Sequence, residues 1–175
     1  VRRQRQMCIR DSIRSVSTVF FVIVNSFAAT TGSLVSNLLG AGQKAQVIPL
    51  CNRVVRLGYA IGFPLVILAV IFYRPIIGIY TGSTVLMQIA HLPFVVMLLN
   101  YVFSLPGYIY MNAVTGTGAT RMTFIFQLIT IVAYQIYLWS ISRFSTSLPV
   151  YWTAEYLYVI LLGLLSVIYF KYKHY

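Results

Sequence analysis

The chain has 175 residues, of which 59% are hydrophobic and 9% charged, with a net charge of +11 and a mean hydropathy of +0.83. A soluble domain carries about 25% charged residues, so the composition excludes one; its continuous apolar runs exclude a transmembrane β-barrel, whose strands alternate polar and apolar positions. What remains is an all-α polytopic membrane protein, whose cations, spaced between apolar helices, suit anchoring at a membrane face rather than nucleic acid.

Residues 1–12, VRRQRQMCIRDS, differ in character from everything after them. RQRQMCIRDS is similar to the translated adapter read-through found at the ends of assembled environmental sequences. The segment is therefore expected to be non-native, poorly ordered and packed against nothing. The other reading is a basic juxtamembrane segment that binds anionic lipid. Residues 13–175 are the expected transmembrane domain, and they look like the back part of a longer protein.

The first span is expected over 13–39. Ala28, Gly32 and Ser36 form a small-xxx-small series that lets another helix approach closely. Asn25, Ser26, Thr30, Thr31, Ser33 and Asn37 make this helix too polar to face lipid all round. Gly40 and Gly42 follow in SNLLGAGQ and permit the positive φ of a helix stop. The connection 43–56 carries Lys44, Arg53 and Arg56, with Pro49 as a breaker. The second span is expected over 54–73, with Pro64 inside it and Arg74-Pro75 closing it. IIGIYTGS then reads as an interfacial turn.

The third span, over 85–115, is the one around which the chain is organised. Asn100, Ser104, Tyr108 and Asn112 recur every four residues and share one helix face. Pro106 and Gly107 are expected to interrupt the helix, and Gly116, Thr117 and Gly118 to end it. Arg121 anchors the next segment at the membrane surface. A polar face beside a broken helix is what a membrane protein places against a water-filled path. The fourth span, over 122–141, carries a second polar stripe of Thr123, Gln127, Thr130, Tyr134 and Tyr137. The fifth, over 152–170, is more uniformly apolar and reads as a packing or lipid-facing helix.

Leaving residues 1–12 aside, the connections after the first, third and fifth spans hold six basic residues and the opposite side holds three. The C-terminus is then expected to be cytoplasmic. Trp139 and Trp152 mark the outer interface, and Tyr169, Tyr172 and Tyr175 the inner one.

Three stretches carry a family resemblance: SNLLGAGQKAQ, PIIGIYTGSTVLMQIAHL and NAVTGTGATRMTF. In order and spacing they resemble the C-terminal lobe of multidrug and toxic compound extrusion (MATE) transporters. The resemblance covers about residues 13–175. It implies five helices of a six-helix lobe, with an N-terminal lobe supplied by the rest of the parent chain. It further implies export of small organic, often cationic, substrates across a bacterial plasma (inner) membrane, by exchange for Na⁺ or H⁺ with alternating access between two lobes. No resident cofactor is implied, the coupling ion aside. Gly82-Ser83 stand where the family often has acidic residues, and Ala119 where it often has a polar one.

Candidate pathway residues are Asn25, Asn100, Ser104, Tyr108, Gln127 and Tyr134, with Asn100 and Gln127 expected to point toward an opposing lobe. Candidate hinge and motif residues are Gly40, Gly42, Pro106, Gly107, Gly116, Gly118 and Arg121. Asp11 and Glu155 are the only carboxylates. Glu155 is expected at the outer interface facing solvent or headgroups, with the coupling carboxylates lying elsewhere in the parent. Cys8, Cys51 and the two histidines have no metal-like spacing, and His91 reads as an interfacial side chain. No nucleophile–base arrangement is visible, so an enzyme is not expected. The rival readings are a lipid-linked oligosaccharide or polysaccharide flippase of the same superfamily, and a non-transporting membrane scaffold. A scaffold has no need of two polar stripes.

Overall fold

In hydrocarbon every backbone N–H and C=O must find a partner within the protein, so apolar runs of this length fold as helices. The computed structural model describes the backbone of residues 2–78, 84–144 and 148–173, and the side chains of 17–75, 78, 94–96, 98–143 and 153–173. Helix α1 spans Arg2–Gly40 and is followed by a 3₁₀ turn at Lys44–Gln46. Helix α2 spans Val47–Ile71, α3 Tyr73–Gly78, α4 Thr84–Gly116, α5 Thr120–Phe144 and α6 Leu148–Tyr172. Among the described residues, five stretches are long and apolar enough to cross a membrane: Ser17–Gly40, Lys44–Ile71, Phe94–Gly116, Thr120–Arg143 and Thr153–Tyr172. The side chains of residues 1–12, His91, Trp152 and Tyr175, and the turn at Gly82-Ser83, lie outside the described residues.

Helix α4 is the centre of the bundle. It packs on α1 and α6 and also touches α2 and α5, while α2 leans on α1 and α5 on α6. Phe94, Leu98, Tyr101, Leu105, Ile109, Ala113 and Val114 are among its buried side chains. Contacts of Phe20 with Tyr101 and of Gly32 with Asn112 show that α1 runs parallel to α4. Contacts of Asn100 with Glu155 and of Gly107 with Val159 do the same for α6. Helices α2 and α5 run the other way, since Tyr110 meets Asn52 and Phe126 meets Tyr169.

The small-residue face of α1 is its seam with α4. Ala28 is fully buried, a Cβ on Gly32 would stand 3.2 Å from the Asn112 carbonyl oxygen, and the Ser36 hydroxyl donates to the Gly116 carbonyl at 2.9 Å. Gly116 lies so close to the Gly32 backbone that a side chain there would strike it.

Three sequence expectations change. Pro106 and Gly107 do not interrupt the third span, because α4 continues through both. Proline removes the N–H that would serve the carbonyl of Val102, four residues back. The Tyr59 hydroxyl from α2 donates to that carbonyl and takes the missing partner's place. Tyr101 returns a bond from α4 to the Gly58 carbonyl of α2 at 2.9 Å. Gly107 acts at the α4–α6 seam: a Cβ there would stand 2.9 Å from the Val159 carbonyl oxygen. Pro49 is no breaker either. It occupies the first turn of α2, where the N–H it lacks would have no helical partner. Gly40 is the last residue of α1 with no left-handed φ, and only Gly42 takes one, at +75°. Gly42 N–H then donates to Leu39 and Gln43 N–H to Leu38, the two bonds of a Schellman stop. Gly118, at φ +81°, ends the run after α4 in a similar way.

Candidate functional site

The candidate polar residues divide into three groups by what surrounds them. The first gathers on α4 and α6 around Glu155. The Asn100 amide donates to the Glu155 carboxylate at 3.2 Å, while its own carbonyl oxygen is buried without a partner. Tyr108, Tyr134 and Tyr156 all lie within electrostatic reach of the same carboxylate. Tyr108 also sets its ring edge-on to Phe21 of α1, with centroids 5.4 Å apart, so it bridges the flanks of α4. Ser104, one turn below Asn100, is buried. Glu155 is only partly exposed, and it faces α4 rather than solvent or headgroups. The sequence alone points this carboxylate to solvent or headgroups at the outer interface; the bond from Asn100 turns it toward α4 instead. The signal lies in spacing: Glu155, Tyr156 and Tyr158 sit in the N-terminal half of α6, opposite a face of α4 that carries Asn100 and Tyr108.

The second group, the stripe of α5, turns into the bundle. Thr123 and Thr130 are buried, Thr123 shares a hydrogen bond with Thr115 of α4, and the Gln127 amide reaches the Met111 sulfur at 3.6 Å. Tyr134 meets Tyr158 edge-on, and Tyr137 shares a hydrogen bond with Thr153 of α6. These are seams between helices. Gln127 thus points at α4, not away from the bundle, and it does not join Asn100.

The third group lies on α1. Asn25, Ser26, Ala29, Thr30, Ser33 and Asn37 are all exposed along one face of a membrane-length helix. Ser26, Thr30 and Ser33 return their hydroxyl protons to backbone carbonyls one turn earlier. The Asn25 and Asn37 amides make no hydrogen bond within the described residues. The exposed faces of α2 and α5 are of the opposite kind: Ile61, Leu65 and Leu68 on one, Phe124, Leu128, Val132 and Ile136 on the other. Those faces suit lipid. An amide without a partner costs about 4–8 kcal/mol in a medium that cannot hydrogen-bond, so the α1 face needs water or protein against it.

Arg121 is exposed at the start of α5, and Arg143 lies over the Trp139 ring at 5.0 Å near its end. Such a cation and indole pair belongs at a membrane–water boundary. No group of three metal-ligating side chains occurs among the described residues.

A helical bundle of five membrane-length spans, with lipid-type faces on α2 and α5 and a polar face on α1, defines an integral membrane protein of helical class. A family model described as MatE matches residues 12–141, which include all three stretches of the resemblance. The chain belongs to the MatE family, whose members are membrane transporters and not enzymes. No curated protein and no solved structure shows significant similarity to it.

Proposed function

We propose that this bundle is one wall of the pathway of a secondary transporter. That transporter exports small organic, often cationic, compounds across a bacterial plasma membrane in exchange for Na⁺ or H⁺, with the C-terminus of this chain in the cytoplasm. The observation that carries the reading is the exposed polar face of α1 inside a membrane-length helix. Neutral amides and hydroxyls can hold water and polar substrates there without the cost of a buried charge. An opposing bundle, supplied by the rest of the parent, would close the other side, and alternating access would expose the α1 face to each side of the membrane in turn.

Coupling is assigned to Glu155. Its carboxylate and the unpartnered Asn100 oxygen are hard oxygen donors of the kind Na⁺ takes. Protonation would instead make Glu155 a donor, and a turn of the Asn100 amide would offer it the free oxygen as acceptor. Either event changes the α4–α6 contact, which supports a link between ion exchange and helix movement.

Efflux by cells expressing the complete transporter tests both parts. Asn25→Leu should reduce efflux by about tenfold at unchanged membrane levels, the loss of one to two polar contacts. Glu155→Gln should abolish dependence on an imposed H⁺ or Na⁺ gradient. Parental efflux in Asn25→Leu would contradict the pathway assignment. Retained gradient dependence in Glu155→Gln would place coupling elsewhere.

A further inference from the structure

Where the end of α1 meets the start of α2, the two helices leave an open groove of about 540 Å³. Its apolar lining is Leu34 and Leu38 of α1 with Pro49 and Leu50 of α2. Its polar lining is Asn37, Gln46 and Arg53. Both membrane spans end here, at Gly40 and Lys44, so the groove lies at the depth where acyl chains meet headgroups. Lys44, Arg53 and Arg56 stand at this end and make no ion pair among the described residues. The described carboxylate, Glu155, lies near the opposite end of the bundle, because α6 is parallel to α1. Among the described residues, then, no carboxylate offsets the positive charge here.

We infer that the groove is a binding site for one anionic phospholipid. The phosphodiester sits against the Arg53 guanidinium, which can give it two parallel charge-assisted hydrogen bonds. The Asn37 and Gln46 amides donate to the glycerol or phosphate oxygens, and the first part of an acyl chain lies on Leu34, Leu38 and Leu50. Charge selects the lipid and the apolar lining fixes its depth. A lipid held here braces the α1–α2 junction next to the polar face of α1.

The test is native mass spectrometry of the full chain in neutral detergent, titrated with phosphatidylglycerol, phosphatidylcholine or inorganic phosphate. Phosphatidylglycerol should be retained about tenfold more than phosphatidylcholine, in keeping with one strong charged contact and nearby cations. Arg53→Gln should remove that preference, and so should Leu34→Trp, which fills the groove without altering charge. Arg143→Gln, at the other end of the bundle, should leave it intact. Circular dichroism on each variant confirms the fold, and the two groove variants act differently, one on charge and one on space. The site is overturned if Arg53→Gln and Leu34→Trp both keep the preference, as they would if protein filled the groove. Equal loss in Arg143→Gln would reduce the effect to general charge and overturn it too. Displacement of the lipid by inorganic phosphate alone would show an anion site rather than a lipid site.

Discussion

Pro106 has no N–H to give the Val102 carbonyl, and the Tyr59 hydroxyl gives it a donor from the neighbouring helix. One side chain thus keeps a proline inside a membrane helix without an orphaned acceptor. Tyr59→Phe should lower stability by about 1 kcal/mol, the usual scale for a polar contact between membrane helices. In a Pro106→Ala background the backbone N–H returns, and Tyr59→Phe should cost much less. Thermal unfolding in detergent across the four proteins of this cycle measures the coupling, and equal costs in both backgrounds would refute it. Little of this could be read from the sequence. Pro106-Gly107 is a visible breaker, but its partner is 47 residues away on another helix. The same holds for polar residues. Asn25, Asn100 and Gln127 are alike in sequence, yet one is exposed, one binds a carboxylate and one rests on a methionine. Periodicity gives the face of a helix but not which neighbour that face meets.

Elements were far more legible, because length and small-residue spacing are local properties. The five spans and the Ala28–Gly32–Ser36 face follow from such signals. Helix ends moved outward: α2 begins at Val47 because proline is tolerated in a first turn, and α6 begins at Leu148. The α1–α4 seam makes a sharp contrast between two glycines. Gly116→Ala would force a methyl group against the Gly32 backbone, and should cost about 1–3 kcal/mol, as overpacking does. Gly40→Ala meets open space at a helical φ, and should be neutral or stabilising by about 0.4–1 kcal/mol. The melting temperature should therefore fall for Gly116→Ala and stay level or rise for Gly40→Ala. A Gly116→Ala protein as stable as the parent would mean that the two helices can part without loss.

At the scale of the whole molecule, α1, α4 and α6 run parallel and α2 and α5 antiparallel to them. Lys44 and Lys173 must then lie on one side of the membrane and Ser142 on the other. Single cysteines at these positions, in a background lacking Cys8 and Cys51, should label from opposite sides. Reagent confined to the cytoplasm should reach Lys44→Cys and Lys173→Cys. Labelling of Lys44→Cys and Ser142→Cys from the same side would sink the topology. Around the bundle, three sorts of surface alternate: apolar on α2 and α5, basic at the α1–α2 junction, and polar along α1. A static scaffold surrounded by lipid has no use for the last of these.

The account depends most on what lies against α1. In the same cysteine-free background, single cysteines at Asn25, Ala29 and Ser33 on α1, and at Leu128, Val132 and Ile136 on α5, can be tested in membrane vesicles with a water-soluble thiol reagent. If the polar face of α1 lines an aqueous path, its three positions react at rates well above those of the three on α5, and bound substrate slows them. If the α1 positions are as unreactive as those on α5, the face is sealed by lipid or protein, and it is not a pathway.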